Sequence, residues 1–210
     1  MLRKAPKQAR SEQMIACILA GATRVLNTVP LAEATTNRIA EVAGVSIGSL
    51  YQYFGGKEAI AVALLRQHLD DTVGLLRDTR LASRGRSART RLRLPFVEIL
   101  NDHCGAQMLH LNLIRLAETA RPSVEFQHCI AQMVDEIALA LTEECPDAGA
   151  DEIRLTATLQ HRNATLLAHA AVAHPALAGD GRILDHFDAL CAANLKALRG
   201  PRRTRRRLHA

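Results

Sequence analysis

An all-α fold is predicted by three observations. Apolar residues recur with a period near 3.6 along most of the chain, six of the seven prolines fall where that periodicity starts or stops, and no period-two run bounded by turn residues occurs. Internal repeats are absent too. At 210 residues, 48% of them hydrophobic, the chain can bury a core without disulfides or a structural metal. The five cysteines (Cys17, Cys104, Cys129, Cys145, Cys191) are odd in number and lack CxxC spacing, so reduced thiols are expected. No apolar run is long enough to span a bilayer and no secretory apolar core follows the basic start, which leads to the expectation of a cytoplasmic protein.

The first helix is expected from Ser11, as N-cap, to the residues before Pro30, with Ile15, Ile18, Leu19, Ala22, Val25 and Leu26 on one face. Two short helices follow over residues 36–43 and 47–54. Thr36 is the expected cap of the first, Ile39, Ala40 and Ala43 its inward face, and Gly44 its left-handed terminator. Ala40 supplies the small residue that a tight helical turn needs, and Val45, Leu50 and Phe54 turn inward. Longer helices are expected over 57–80, 88–103, 106–119, 122–145, 150–173 and 182–198.

Charge is segregated. Residues 1–10 carry Arg3, Lys4, Lys7 and Arg10, residues 199–210 carry six arginines, and neither end holds an acid. The stretch 77–93 has seven arginines against Asp78, whereas 98–152 has eleven acids against Arg115 and Arg121. Such blocks suit one part of the chain to a polyanion, although a solvated linker and a tail are commoner fates for arginine runs.

The most informative segment is TTNRIAEVAGVSIGSLYQYFGGKEAI, residues 35–60. Two short helices meeting at a glycine turn form a helix-turn-helix, which lays its second helix in the major groove. Ser46, Ile47, Gly48, Ser49, Tyr51, Gln52 and Tyr53 are left for the outer surface. There an isoleucine can pack on a thymine methyl, an amide can read a base edge, and hydroxyls can donate to phosphates. Lys57 opens the next helix, where its ammonium and the positive helix end both favour a phosphate.

The run IAEVAGVSIGSLYQYFGGKEAI resembles the signature of the TetR family of bacterial transcriptional regulators. The resemblance covers about residues 11–60, and beyond them only length and helical count. It implies an N-terminal three-helix DNA-binding domain joined to a larger helical ligand-binding and dimerisation domain. Phosphate contacts are implied for Thr36, Tyr51, Tyr53 and Lys57, and base or near-base contacts for Asn37, Arg38, Ile47, Gly48, Ser49 and Gln52. Gly55-Gly56 departs from the family's usual proline and polar residue.

The expected organisation is a basic flexible arm (1–10), a DNA-binding domain (11–58), a ligand-binding and dimerisation domain (59–198) and an Arg-rich disordered tail (199–210). Residues 11–60 alone carry three basic against four acidic side chains, so the arm is expected to supply phosphate affinity. Operator DNA and a second copy of the chain are the expected partners. Leu159, Leu166, Ala170 and Ala173, with Phe187, Leu190, Asn194 and Leu198, are the expected faces of a four-helix dimer interface. Phe96, Met108, Phe126, Met133, His161 and Thr165 are nominated to line an apolar effector pocket, and the acidic excess of 98–152 leans towards a neutral or cationic effector.

No cofactor or metal is expected. His103-Cys104 and His128-Cys129 carry ligand-type side chains, but neighbours on a helix diverge by about 100°. No nucleophile elbow, phosphate loop or HExxH occurs, so an enzyme is not expected. The reading is a small-molecule-released repressor. The alternatives are an activator or effector-independent regulator of the same fold, or a non-specific architectural DNA binder.

Overall fold

The computed structural model describes residues 5–120, 123–178 and 181–200, with side chains left out for residues 5–8, 120 and 178. Arg3, Lys4 and the arginines from 202 to 207 therefore lie outside the described residues, as does the side chain of Lys7. Among the described residues, ten helices run in the order α1 (Ala5–Leu26), α2 (Thr36–Ala43), α3 (Ile47–Tyr53), α4 (Lys57–Ala82), α5 (Ala88–Gly105), α6 (Gln107–Ala120), α7 (Val124–Glu144), α8 (Ala150–Ala173), α9 (Pro175–Ala178) and α10 (Arg182–Arg199). Among the described residues there is no strand, and no helix is long and apolar enough to cross a membrane.

Two starts differ from the sequence expectation. The first helix begins at Ala5, not at Ser11, so residues 5–10 extend α1 instead of forming a flexible arm. Pro6 in the first turn costs the helix nothing, because its missing N–H has no intrahelical acceptor there. The cap of α2 is Thr35, not Thr36: Thr35 is extended (φ −125°, ψ 147°) and its hydroxyl accepts from Arg38 N, leaving Thr36 as the first helical residue.

An N-terminal head forms around Ile18, Ala22, Val25 and Leu26 of α1, Ile39 and Ala40 of α2, Leu50 of α3 and Ile60, Ala61, Leu64 and Leu65 of α4. Leu113 of α6 completes this core from the body, and α4 continues unbroken from the head past Val73. The body core joins Leu92, Phe96 and Leu100 of α5, Val134, Ile137 and Leu141 of α7, Ile153 and Ala157 of α8 and Ile183, Phe187, Cys191 and Leu195 of α10. Phe96 and Phe187 stack at its centre with ring centroids 4.0 Å apart and planes 5° from parallel.

That stack corrects the expected dimer faces. Phe187 and Leu198 are buried in the body core, and Asn194 donates from Nδ2 to Gln160 Oε1 at 2.8 Å inside the subunit. Leu190 and Ala170 are half-buried. Leu159 and Leu166 are 48% and 69% exposed, and Leu155 and Ala173 are exposed beside them.

The charge blocks meet each other. Arg80 Nε donates to Glu136 Oε2 at 2.8 Å and Arg77 Nε to Glu136 Oε1 at 3.1 Å. The buried guanidinium of Arg91 pairs with Glu143, while Arg93 Nε and Arg89 Nη2 reach Asp188 Oδ2 at 3.2 and 3.1 Å. Five of the seven arginines between 77 and 93 thus tie α4 and α5 to α7 and α10 and do not form a linker surface offered to DNA. Glu144 adds a further tie by accepting from Ala88 N, at the start of α5, at 2.9 Å.

Candidate nucleic-acid interface and internal cavity

The head is shaped by two local devices. Gly44 terminates α2 at φ 69°, and Val45 N donates back to Ala40 O at 3.0 Å, a closure that side-chain-bearing residues reach only with strain. Ser46 then caps α3, accepting from Ser49 N at 3.0 Å, with the two hydroxyls 2.8 Å apart. A further tight helix approach supports the head. It lies between Gly21 of α1 and Ala43 of α2, where a Cβ on residue 21 would stand 2.6 Å from Ala43 Cβ and 2.8 Å from its backbone. Ala40 is buried in the head core, and Gly21 is a further small residue that contact demands.

On the outer face Ile47 and Tyr51 are 39% and 53% exposed, and Asn37, Arg38, Gly48 and Gln52 are exposed with them. Thr36 Oγ1 and Tyr51 Oη lie 3.0 Å apart, which fixes the ring of Tyr51 across the start of α2. Arg38 Nη1 donates to Glu41 Oε2 at 2.7 Å in a fully solvated pair, one that a phosphate or base can replace at little cost. Ser49 and Tyr53 are only half-buried, and Tyr53 packs against the head core, so its ring is less available than the sequence suggested. Lys57 is also half-buried: its ammonium donates to Ala32 O at 2.8 Å and Ala34 O at 3.0 Å. Two of its three protons are committed to holding the loop before α2, which leaves one for an anion.

Behind the head a cavity of about 150 Å³ lies between α4, α5, α6, α7 and α8, with α10 at its edge. Phe96, Phe126, Met133, His161 and Thr165 line it as expected; Met108 does not. The α6 positions that face the cavity are His110, Leu113, Ile114 and Ala117, spaced by three and four residues, and Met108 is two residues (about 200°) from His110 around the helix. Among the described residues no carboxylate lines the cavity, which gives no support to a leaning towards cationic effectors.

The pocket expected from the sequence held one histidine, His161, but four others join it. His68 of α4, His103 of α5, His110 of α6 and His169 of α8 all border the cavity. Burial lowers the His68 pKa from 6.5 to about 4 and that of His103 to about 2, with neighbouring His110 adding to both shifts. Burial also lowers His110, against the opposing hydrogen bond to Ala106 and the charge of Asp102. His161 falls to about 4 through burial and the adjacent Arg162. At neutral pH these rings are uncharged. Cys191, accepting from Gln160 Nε2 at 3.0 Å, is pushed up to about 12 by burial and stays a thiol.

Head and cavity are joined by a residue with no sequence signal. Asn112 of α6 is buried against the loop after α1, where its amide donates to Leu26 O at 2.8 Å and Val29 O at 3.0 Å. Its carbonyl accepts from Leu31 N at 2.9 Å. Asn112 thus satisfies three backbone groups of the head from a helix that lines the cavity.

Comparison with known proteins agrees with this architecture. Residues 18–64 match the family model described as bacterial regulatory proteins, tetR family. The HTH-type transcriptional regulator BetI 2 of Chromohalobacter salexigens is 45% identical over 62 residues, which are 30% of this chain and 28% of that protein's length. The chain shares its fold with a TetR-family transcriptional regulator from Streptomyces coelicolor, at TM-score 0.68 and 23% identity over 90% of this chain and 99% of the other. It also shares it with SmeT in its complex with triclosan, at TM-score 0.61 and 19% identity over 86% and 91%. A head matching the tetR-family model over residues 18–64 thus sits on a helical body that shares the fold of solved TetR-family structures.

Proposed function

We propose that the chain is a homodimeric repressor released from a palindromic operator when a small apolar molecule enters the cavity. In this reading Asn37, Arg38, Ile47, Gly48, Ser49 and Gln52 approach the bases, while Thr36, Tyr51, Tyr53 and Lys57 hold phosphates. The observation that carries the release step is the bridge of Asn112. A cavity between α4 and α6 is flanked by the helix that enters the head's core and by the helix that holds the head's first loop, so occupancy reaches the head along two elements. A volume of about 150 Å³ suits a small apolar compound with one or two polar groups for the neutral imidazoles and Gln160. SmeT, which has this fold, binds triclosan in its complex.

Two heads are needed to span successive major grooves, and the exposed leucines 155, 159 and 166 of α8 offer the second copy an apolar surface. The test is selection of bound sequences from a random duplex pool with the purified chain, followed by fluorescence anisotropy of the selected operator during a screen of small apolar compounds. A palindrome with half-sites one helical turn or more apart is expected. A compound that releases it should bind less tightly in the presence of operator by the same factor. That compound should also lose its effect on Ala164→Phe, which fills the cavity. A pool without an enriched palindrome, or release unchanged by the filled cavity, would overturn the reading.

A further inference from the structure

The histidines at the edge of the cavity form a donor set of their own. His68, Asp102, His103 and His110, from α4, α5 and α6, each offer one ligand-type atom, and these atoms all lie within 4.8 Å of one another. His68 Nε2 and His103 Nε2 are 3.3 Å apart, and His110 Nε2 and Asp102 Oδ2 are 3.2 Å apart. In a tetrahedral zinc site with bonds of 2.0–2.1 Å, ligand atoms are separated by about 3.3 Å. Two opposite edges of such a tetrahedron are therefore already near their length, and rotation of the rings closes the others.

Hydrogen bonding within the cluster is incomplete in the sense a cation would remedy. His110 Nδ1 lies 3.0 Å from Ala106 O, and since a carbonyl can only accept, this nitrogen carries the proton. The neutral ring then presents a lone pair at Nε2, pointing at the carboxylate of Asp102. Despite the short separation, His110 Nε2 makes no hydrogen bond, though the residue is 3% exposed. A backbone carbonyl that fixes the tautomer of a ligating imidazole is the usual outer support of a metal site.

We infer that His68, His103, His110 and Asp102 bind a divalent first-row transition-metal ion of the zinc(II) class. Imidazole nitrogens with one carboxylate oxygen suit such an ion and not magnesium or calcium, which prefer all-oxygen shells. The ion fastens α4 to α5 and α6 beside the cavity. This inference does not depend on the repressor reading, because its test uses no DNA.

The test is titration of the chelator-stripped full-length chain with zinc(II), and separately with cobalt(II) as a spectroscopic stand-in. One ion per chain is expected, with a rise in melting temperature, and cobalt(II) should give the intense visible bands of a tetrahedral nitrogen and oxygen site. Asp102→Asn, at an exposed position that leaves the fold intact, should weaken zinc binding at least about tenfold, and His103→Gln should abolish it. His174→Gln, at an exposed histidine outside the cluster, should change nothing. Three results would each overturn the inference: no saturable uptake, uptake unaffected by both cluster substitutions, or thiolate charge-transfer bands signalling that the exposed Cys104 is the ligand.

Discussion

Asn112 stands two positions from His110, which borders the cavity, and one from Leu113, which enters the core of the head. Its three hydrogen bonds satisfy backbone groups that the loop after α1 cannot satisfy internally. Removing it leaves them short of partners at about 1–3 kcal/mol each before water relieves some of that cost. Asn112→Ala is therefore expected to lower stability by roughly 3 kcal/mol and operator affinity with it, measured by urea unfolding and by anisotropy. An isolated asparagine in an amphipathic helix gives no sign of this role, because its partners are more than eighty residues away in the chain. The outer face of α3 was legible for the opposite reason, since Ile47, Tyr51 and Gln52 belong to one local motif whose turn and cap are sequence-adjacent. Here Gln52→Ala should relax the operator preference at a single base pair by about 1–3 kcal/mol, read from selected sequence logos, whereas Tyr51→Phe should weaken all sequences alike.

Helices were readable where capping and periodicity agreed and misread where tertiary contacts decided their use. α2 through α8 fall within two residues of their expected bounds, whereas α9 is a single turn with no periodic signal. For α10, the apolar stripe Ile183, Phe187, Cys191, Leu195 and Leu198 is the face that closes the body core, and periodicity alone cannot separate such a stripe from a dimer face. The α8 leucines are different, being apolar and exposed. Leu159→Glu with Leu166→Glu should leave the helical content unchanged, convert a dimer to a monomer in sedimentation, and raise the Kd for operator by orders of magnitude. A dimer that survives both charges would place the interface elsewhere. The crossing of α1 on α2 makes a second element-scale demand. Gly21→Ala drives a methyl into Ala43 and should cost about 1–3 kcal/mol by forcing the helices apart, detected as early melting of the head.

Across the described residues, the arginine cluster seen in the sequence is largely a record of internal pairing: arginines of 77–93 meet acids at 136, 143 and 188. Composition reports such blocks but not their partners, which is why the arginine cluster and the acidic stretch read as two separate surfaces. His161, nominated for the pocket without any motif, shows what its place there does to its titration. Its pKa in the fold, about 4, lies below the 6.5 of the unfolded chain, so over that interval the unfolded state binds the extra proton. The sign follows directly: the contribution of His161 is complete above pH 6.5, falls as the pH drops, and is exhausted only once the pH passes below about 4. One proton taken up on unfolding gives a slope of about 1.4 kcal/mol per pH unit. Between pH 6.5 and 5 most carboxylates stay ionised in both states, so a chelator-treated sample should show unfolding free energy decreasing with acidity in that window, and His161→Gln should remove about one proton's worth of the slope. If the variant and the native chain lose stability in parallel, His161 is not the buried neutral ring that walls the cavity.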